Sequence, residues 1–158
     1  MDLEKIGEYL KRVYFAIDGL WFVKVEQVLG FEQALEIDSR VWEILPKIQA
    51  RKAIELLDLK KKGLSSLMKG LELKWEAEGF HYHYQTAPPE INVTITHCPW
   101  YEIMIQSERK HLAAQVGKAI CTQEYKIWAD ELGEKIEFQL IRQKCQEGDY
   151  CHFRFFQQ

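Results

Sequence analysis

The chain has 158 residues, of which 47% are hydrophobic and 28% charged, and its formal net charge is −3. This length suits one domain with its own core, and the composition excludes a chain that is mainly disordered. The mildly acidic balance disfavours a nucleic-acid binder that works through counterion release. No apolar stretch is long enough to span a bilayer, and the N-terminus lacks the features of a signal peptide. We therefore expect a cytoplasmic protein with neither nucleic acid nor membrane as a partner.

Helices are predicted for the first half of the sequence. Apolar residues from Leu3 to Leu29 recur in steps of three and four, which aligns them on one helix face. Around Trp21 the apolar character extends most of the way round, a pattern typical of a buried helix. The predicted helices cover 3–29, 31–62 with a kink or a new first turn at Pro46, and 64–78, although alternation over 71–77 would also fit a strand. We expect Lys60, Lys61 and Lys62 to close the second of these helices.

The second half alternates in ways that predict strands as well as helices. The predicted elements are strands over 80–85 and 91–96, helices over 99–106 and 122–132, and a hairpin of 136–144 and 150–156 that turns around 147–149. Helices that precede strands indicate an α+β fold, with the N-terminal helices packed on an antiparallel sheet. We expect one domain over 1–158, mainly helical over 1–79 and mixed over 80–158.

Cys98 is the strongest candidate for a nucleophile or a metal ligand. It lies between a predicted strand and a predicted helix whose first residue is Pro99. The free N–H groups of a helix N-terminus lower the pKa of a nearby thiol and favour the thiolate, which can attack a substrate or bind a metal. His97 is next to Cys98 in sequence but points to the opposite face of the strand, so it is not necessarily a base that acts on the Cys98 thiol. The alternative is a small buried cysteine that only packs.

The other three cysteines differ in their predicted orientation. Cys121 precedes Thr122, a good N-cap residue, so we expect it too near a helix N-terminus. Side chains alternate between the two faces of a strand, so Cys151 should point inward like Phe153. By the same alternation, Cys145 should point outward from its predicted strand. Cys98, Cys121 and Cys151 are thus the thiols that could converge. They are candidate ligands for a divalent metal such as zinc, although the spacing of a zinc finger is missing.

Several polar residues are further candidates. Asp18 lies within the most apolar helical stretch, so it is either hydrogen-bonded structurally or points into a polar cavity. Arg109 follows the predicted Cys98 helix and could hold an anionic ligand, although a solvated arginine is the commoner case. His81 and His83 share one strand face and could chelate a metal. The alternating aromatic residues make the better core face, which places both histidines at the surface.

Short motifs occur along most of the chain. They are, in order, Asp18-Gly19-Leu20-Trp21-Phe22, Glu26, Ala34-Leu35-Glu36, Val41-Trp42, Cys98-Pro99-Trp100, Cys121 and Gly148-Asp149-Tyr150-Cys151-His152-Phe153. Together they resemble an uncharacterised family of small bacterial and archaeal proteins that is similar to the L-2-amino-thiazoline-4-carboxylic acid hydrolase family. The second half resembles, at a greater distance, the 4-vinyl reductase domain, a small-molecule-binding module. The first resemblance implies ring opening of a cyclic, amidine-like sulfur heterocycle, and it implies Cys98, Cys121, Asp149 and Cys151 as characteristic positions.

These observations favour a small-molecule-binding protein with a cysteine-containing, aromatic-lined pocket between the N-terminal helices and the sheet. Cys98, Cys121 and Cys151 would line the pocket, and Asp18 or Arg109 would anchor the ligand. One alternative is a hydrolase of cyclic amidine or amide C–N bonds, with Cys98 as nucleophile or as ligand of a metal that activates water. Another alternative is a dimeric interaction module with the aromatic stretch in its interface. Motifs for phosphate loops, serine hydrolases and zincins are missing from the sequence.

Overall fold

Helices precede an antiparallel sheet in the computed structural model, which describes residues 2–157, with Glu147 described by its backbone alone. The described helices are α1 (Leu3–Leu29), α2 (Phe31–Trp42), α3 (Leu45–Leu56), α4 (Leu64–Glu78), α5 (Pro99–Gln106), α6 (Lys110–Leu132) and α7 (Lys144–Glu147). The described strands are β1 (His81–Ala87), β2 (Glu90–His97), β3 (Ile136–Arg142) and β4 (Cys151–Gln157). The predicted α+β class, with helices ahead of the strands, is confirmed. None of the described helices is both long and apolar enough to cross a membrane.

The described strands form one sheet in the order β1-β2-β4-β3, and every neighbouring pair is antiparallel. The chain leaves β2 through α5 and α6, enters the far edge as β3, and returns as β4 between β3 and β2. Cys151 at the start of β4 is paired with Ile95 near the end of β2. This pairing brings the start of β4 close to the chain that leads into α5.

The core of the sheet-containing part joins inward strand residues to α4 and α6. The side chains of Leu67, Leu71 and Trp75 on α4 are fully buried, as are Tyr125 and Trp128 on α6. Alternate residues of β2 and β4 supply the sheet side of this core, as expected for strands with one covered face. These contacts fix α4 and α6 beside each other, with one face of each directed inward.

The chain divides into two compact units, Met1–Val41 and Trp42–Gln158. In the first unit, the rings of Phe22 on α1 and Phe31 on α2 lie 6.0 Å apart. The predicted burial of α1 is wrong, because Phe15 is its one buried residue among those described, while Trp21 is 61% exposed. The shorter α2 can cover a single stripe of a helix of 27 residues. The organisation as one domain stays a prediction.

Local signals predicted several helix ends correctly. Pro46 lies in the first turn of α3, and Cys98 directly precedes Pro99, the first residue of α5. Gly79 ends α4 in the left-handed conformation, with φ of 81°. The turn at Pro88 and Pro89 joins β1 to β2, as expected.

The end of α3 differs from the prediction. The helix stops at Leu56, so Lys60, Lys61 and Lys62 lie outside it. Asp58 adopts φ of 51°, and the Leu59 N–H donates to the Ile54 carbonyl at 3.1 Å. This left-handed stop satisfies the last carbonyls of the helix without glycine, which the sequence pattern did not reveal.

Two elements of the second half also differ from the prediction. The helix expected to begin at Thr122 begins at Lys110, so Cys121 lies at its middle and not near its N-terminus. The expected hairpin contains the short helix α7, and β3 therefore ends at Arg142. Because Cys145 belongs to α7, the strand parity that directed it outward does not apply to it.

Candidate functional site

Three of the four cysteines lie at the end of the sheet where β2 finishes and β4 begins, and the fourth, Cys121, lies within electrostatic range of them. Cys98 follows β2, Cys151 opens β4, Cys145 lies in α7, and Cys121 lies at the middle of α6. The backbone N–H of Lys144 donates to the Cys151 Sγ at 3.2 Å, which ties α7 to the start of β4. All four are free thiols, as expected. The structure thus places Cys98, Cys121 and Cys151 in one region, together with Cys145, which strand parity predicts to point outward.

The electrostatics of these thiols oppose the predicted thiolate. Burial raises the pKa of Cys98 to about 12 and outweighs the Tyr101 backbone N–H, which acts in the other direction. Burial and then the Glu124 charge raise the pKa of Cys121, and burial raises the pKa of Cys145 to about 11. This direction is opposite to the one that the sequence predicts for Cys98, because the cost of desolvating the thiolate charge exceeds the benefit of a helix N-terminus.

Close packing of α7 on α6 explains the place of Cys145. A Cβ atom on Gly117 would lie 2.8 Å from the Gln143 Nε2 and 3.4 Å from the Cys145 Sγ. The Gln143 Nε2 donates to the Ala114 carbonyl at 3.0 Å, which holds the residue before α7 against α6. A glycine in α6 therefore allows the fourth thiol to approach the other three.

A buried ion cluster, formed by Lys74, Glu78 and Glu124, lies beside the thiols. The Lys74 Nζ is 2.8 Å from the Glu78 Oε2 and 3.0 Å from the Glu124 Oε1. The three side chains are only 3%, 7% and 6% exposed. Charged groups are rarely buried to this extent unless they are paired, and here two carboxylates share one ammonium group.

The charges of this cluster depend on one another. Burial raises the pKa of Glu124 to about 7, Lys74 opposes this rise, and Glu78 adds to it. Burial by itself would lower the pKa of Lys74, but the Glu124 and Glu78 carboxylates outweigh burial and raise it. Lys74 therefore stays charged, and Glu124 gains or loses its proton near neutral pH. Carboxyl groups with a pKa raised in this way are frequent at functional sites, although structural ion clusters also contain them.

An indole ring contacts the ion cluster directly, and two thiols lie within electrostatic range of it. After burial, the Glu124 charge raises the pKa of Cys121, and the Lys74 charge makes a small lowering contribution to the pKa of Cys98, so these charges lie within electrostatic range of the thiols. The Trp100 Nε1 donates to the Glu78 Oε2 at 3.2 Å. We call the set of Lys74, Glu78, Glu124, Cys98, Cys121 and Trp100 the thiol–ion site.

One wall of the thiol–ion site is aromatic. The ring of Trp42 meets the ring of Trp100 edge-on, with 5.7 Å between the ring centroids. On another side, the Lys74 Nζ lies 5.2 Å from the centroid of the Phe80 ring. The charged side chains are buried, whereas the two thiols and the Trp100 ring are partly exposed.

Sequence reasoning missed the three charged residues of this site. Lys74 and Glu78 are four residues apart on α4, on the face that also carries Trp75 and Leu71. Glu124 directly precedes Tyr125 on the buried side of α6. Charged residues at otherwise apolar helix positions were the available signal, but a pairing over about fifty residues cannot be read from helical spacing.

The remaining predicted site residues lie apart from this set. Asp149 is exposed and pairs with Arg142 at 3.1 Å. Arg109 is half-buried directly before α6, and Asp18 is half-buried on α1, in the first unit. His81 and His83 are exposed, which confirms their predicted surface position. Among the described residues, no group of three or more His, Cys, Asp or Glu side chains is arranged to hold a metal ion.

An open groove lies near α7 and has a volume of about 560 Å³. Its lining residues are Glu108, Lys110, His111, Ala114, Cys145 and Gln146. The groove differs from the predicted pocket, because the cysteine that lines it is Cys145 and not Cys98, Cys121 or Cys151. Through Cys145 its wall lies next to the other thiols.

Comparison with known proteins identifies the family of this chain but does not indicate an activity. A search of the curated proteins finds no match to this sequence. A family model described as "Family of unknown function (DUF6125)" matches residues 3–156, almost the whole chain. The chain therefore belongs to the family of unknown function DUF6125.

Proposed function

We propose that this protein binds a small molecule at the thiol–ion site. The observation that carries the proposal is the buried ion cluster, in which two carboxylates share one ammonium group inside the second unit. Burying three charges costs more than burying apolar residues of similar volume, so such a cluster is weak evidence for a purely stabilising role. Perturbed carboxyl groups next to thiols and aromatic rings are instead typical of binding and catalytic sites.

The charge balance of the cluster favours a cationic ligand with N–H groups. With both carboxylates ionised the cluster has a net charge of −1, and the extra charge resides on Glu124, whose pKa is about 7. A protonated amine or amidine can take the place of the proton on Glu124 and form charge-assisted hydrogen bonds. A ligand without a cationic group that carries only negative charge would meet the same two carboxylates and be repelled.

The partly exposed groups of the thiol–ion site suit a flat, apolar ring. Trp100 offers an indole face for stacking or cation–π contact, and Cys98 and Cys121 offer polarisable thiols. Cys151, beside them, is 7% exposed and belongs to the apolar core. The resemblance to the L-2-amino-thiazoline-4-carboxylic acid hydrolase family points to the same ligand class, a cyclic amidine that contains sulfur.

Binding of a cyclic amidine panel tests this proposal. We expect isothermal titration to detect binding to the wild-type protein at pH 8, and Glu124→Gln to weaken it at least tenfold. Glu131→Gln is the matched control, because Glu131 lies on the same helix and pairs with the exposed Arg51 at 2.9 Å. Equal affinity of the wild type and Glu124→Gln would contradict the assignment of the site.

A second candidate function is hydrolysis of a cyclic amidine or amide C–N bond. The pKa of Glu124 favours it, because a carboxylate with a pKa of about 7 can accept a proton from water as the oxygen joins the amidine carbon. The proton then passes to the nitrogen as the C–N bond breaks. The Cys98 thiol, with a pKa of about 12, is a poor nucleophile at neutral pH. Turnover that is lost in Glu124→Gln but kept in Cys98→Ser would support this function, and turnover lost only in Cys98→Ser would contradict it.

A further inference from the structure

The helix α1 carries an apolar seam with the spacing of a coiled coil. Its residues alternate steps of three and four and are Leu3, Ile6, Leu10, Val13, Ile17 and Leu20. This strict 3.5-residue period matches positions a and d of the heptad repeat, starting with Leu3 at a. We call these six residues the α1 seam.

Five of the six residues of the α1 seam are exposed, and Ile6 is half-buried. Leu3 is 82% exposed, Leu10 58%, Ile17 66% and Leu20 61%. Branched aliphatic residues of this size gain free energy when they leave water, and a continuous row of them on one helix marks an interaction surface. The seam ends at Lys24, which occupies the next a position.

The packing of α1 within its own unit uses a different face. Phe15 and Phe22 occupy position f of the same heptad numbering, opposite the seam. Phe15 is the buried residue of α1, and the Phe22 ring lies 6.0 Å from the ring of Phe31 on α2. The α1 seam is therefore additional to the contacts that hold α1 to α2.

We propose that the α1 seam pairs with the α1 seam of a second copy of this chain and forms a two-stranded coiled coil. Positions e and g beside the seam are uncharged and comprise Gly7, Tyr9, Tyr14, Ala16, Trp21 and Val23. Charges at these positions normally select the partner of a coiled coil. Their lack of charge allows two identical helices to meet without repulsion, and it offers nothing to a differently charged partner.

The area of the surface is sufficient for a stable dimer. Tyr9 and Trp21 flank the seam and are 68% and 61% exposed. Together with Leu3, Leu10, Val13, Ile17 and Leu20, they offer roughly 100 Å² per side chain, or on the order of 700 Å² per chain. A standard interface takes about 800 Å² from each partner. This inference depends on α1 and α2 alone and is independent of the thiol–ion site.

Sedimentation velocity of the full chain over a concentration series tests the inference. We expect the wild type to sediment as a dimer at micromolar concentration and Leu10→Glu/Ile17→Glu to sediment as a monomer with at least a hundredfold larger dissociation constant. Ile48→Glu/Leu56→Glu is the matched control, because these residues are 60% and 63% exposed but lie on α3. The control should remain dimeric.

Charge complementation distinguishes a lost interface from a lost fold. An equimolar mixture of Leu10→Glu/Ile17→Glu with Leu10→Lys/Ile17→Lys should sediment as a dimer, although each variant alone is a monomer. Circular dichroism of each variant should equal that of the wild type. A wild type that stays monomeric at every concentration, or a dimer that Leu10→Glu/Ile17→Glu does not weaken, would overturn the inference.

Discussion

At the scale of single residues, Glu124 combines almost complete burial with a pKa of about 7. The folded state therefore holds a proton on this carboxyl group at pH values where the unfolded chain has already released it. Glu131, on the same helix, is the opposite case, because its hydrogen bond with Arg51 lowers its pKa. Two glutamates on one helix thus have pKa values shifted in opposite directions, because one is buried in the core and the other pairs with an arginine near the surface.

The pH dependence of stability follows from the raised pKa of Glu124. Between its ordinary value of 4.5 and its folded value of about 7, the native state binds more protons than the unfolded state. Its contribution to the free energy of unfolding therefore falls as pH rises through this window, by at most about 1.4 kcal/mol per pH unit. Urea unfolding at pH 5, 6 and 7 should show that Glu124→Gln removes this decline.

The control for this measurement is Glu131→Gln. Because the pKa of Glu131 is lowered, its stabilisation is complete above its ordinary value and is lost at lower pH. The decline between pH 5 and 7 should therefore persist in Glu131→Gln. An unchanged decline in Glu124→Gln would show that Glu124 does not hold the proton.

At the scale of elements, the buried ion cluster joins α4 to α6. Lys74 and Glu78 lie one turn apart on α4, and Glu124 reaches Lys74 from α6. A second contact between the two helices is the hydrogen bond from the Trp75 Nε1 to the Tyr125 hydroxyl at 3.0 Å. The helix pair thus has an aromatic contact that does not depend on the charged residues.

Removal of one charge should lower the free energy of unfolding more than removal of all three charges. Lys74→Met leaves two buried carboxylates without their cation, and we expect a loss of about 3–5 kcal/mol in the free energy of unfolding. The triple variant Lys74→Met/Glu78→Leu/Glu124→Leu leaves no unpaired charge and should recover most of this loss while binding no ligand. Urea denaturation measures both values. A triple variant as unstable as Lys74→Met would indicate a structural role for the cluster.

Local sequence signals account for the elements that were predicted correctly. The proline at position 99 and the glycine at position 79 mark helix ends through backbone restrictions of their own. The start of α6 was missed because Thr122 resembles an N-cap although it lies inside a longer helix. The short helix α7 was missed for a related reason, since its packing depends on the space above Gly117 in a distant element.

At the scale of the whole molecule, the sequence allowed the fold class and part of the site to be predicted. The order of helices and strands determined the α+β class, and inward parity placed Cys151 correctly in the core. The charges of the thiol–ion site could not be predicted, because Lys74 and Glu124 come together only through tertiary packing. The raised pKa of the Cys98 thiol could not be predicted either, because it results from burial in the folded chain. The position of Cys98 at a helix N-terminus predicts a lowered pKa instead.

Calorimetric titration of a cyclic amidine at pH 6 and pH 8 tests the proposed function most directly. The ligand stays cationic at both values, whereas Glu124, with a pKa of about 7, passes from mostly protonated to mostly ionised. We predict that the wild-type protein binds about tenfold more tightly at pH 8 than at pH 6. Glu124→Gln should bind weakly and equally at both pH values. Binding that is independent of pH in the wild type, or unaffected by Glu124→Gln, would contradict a ligand site at Glu124.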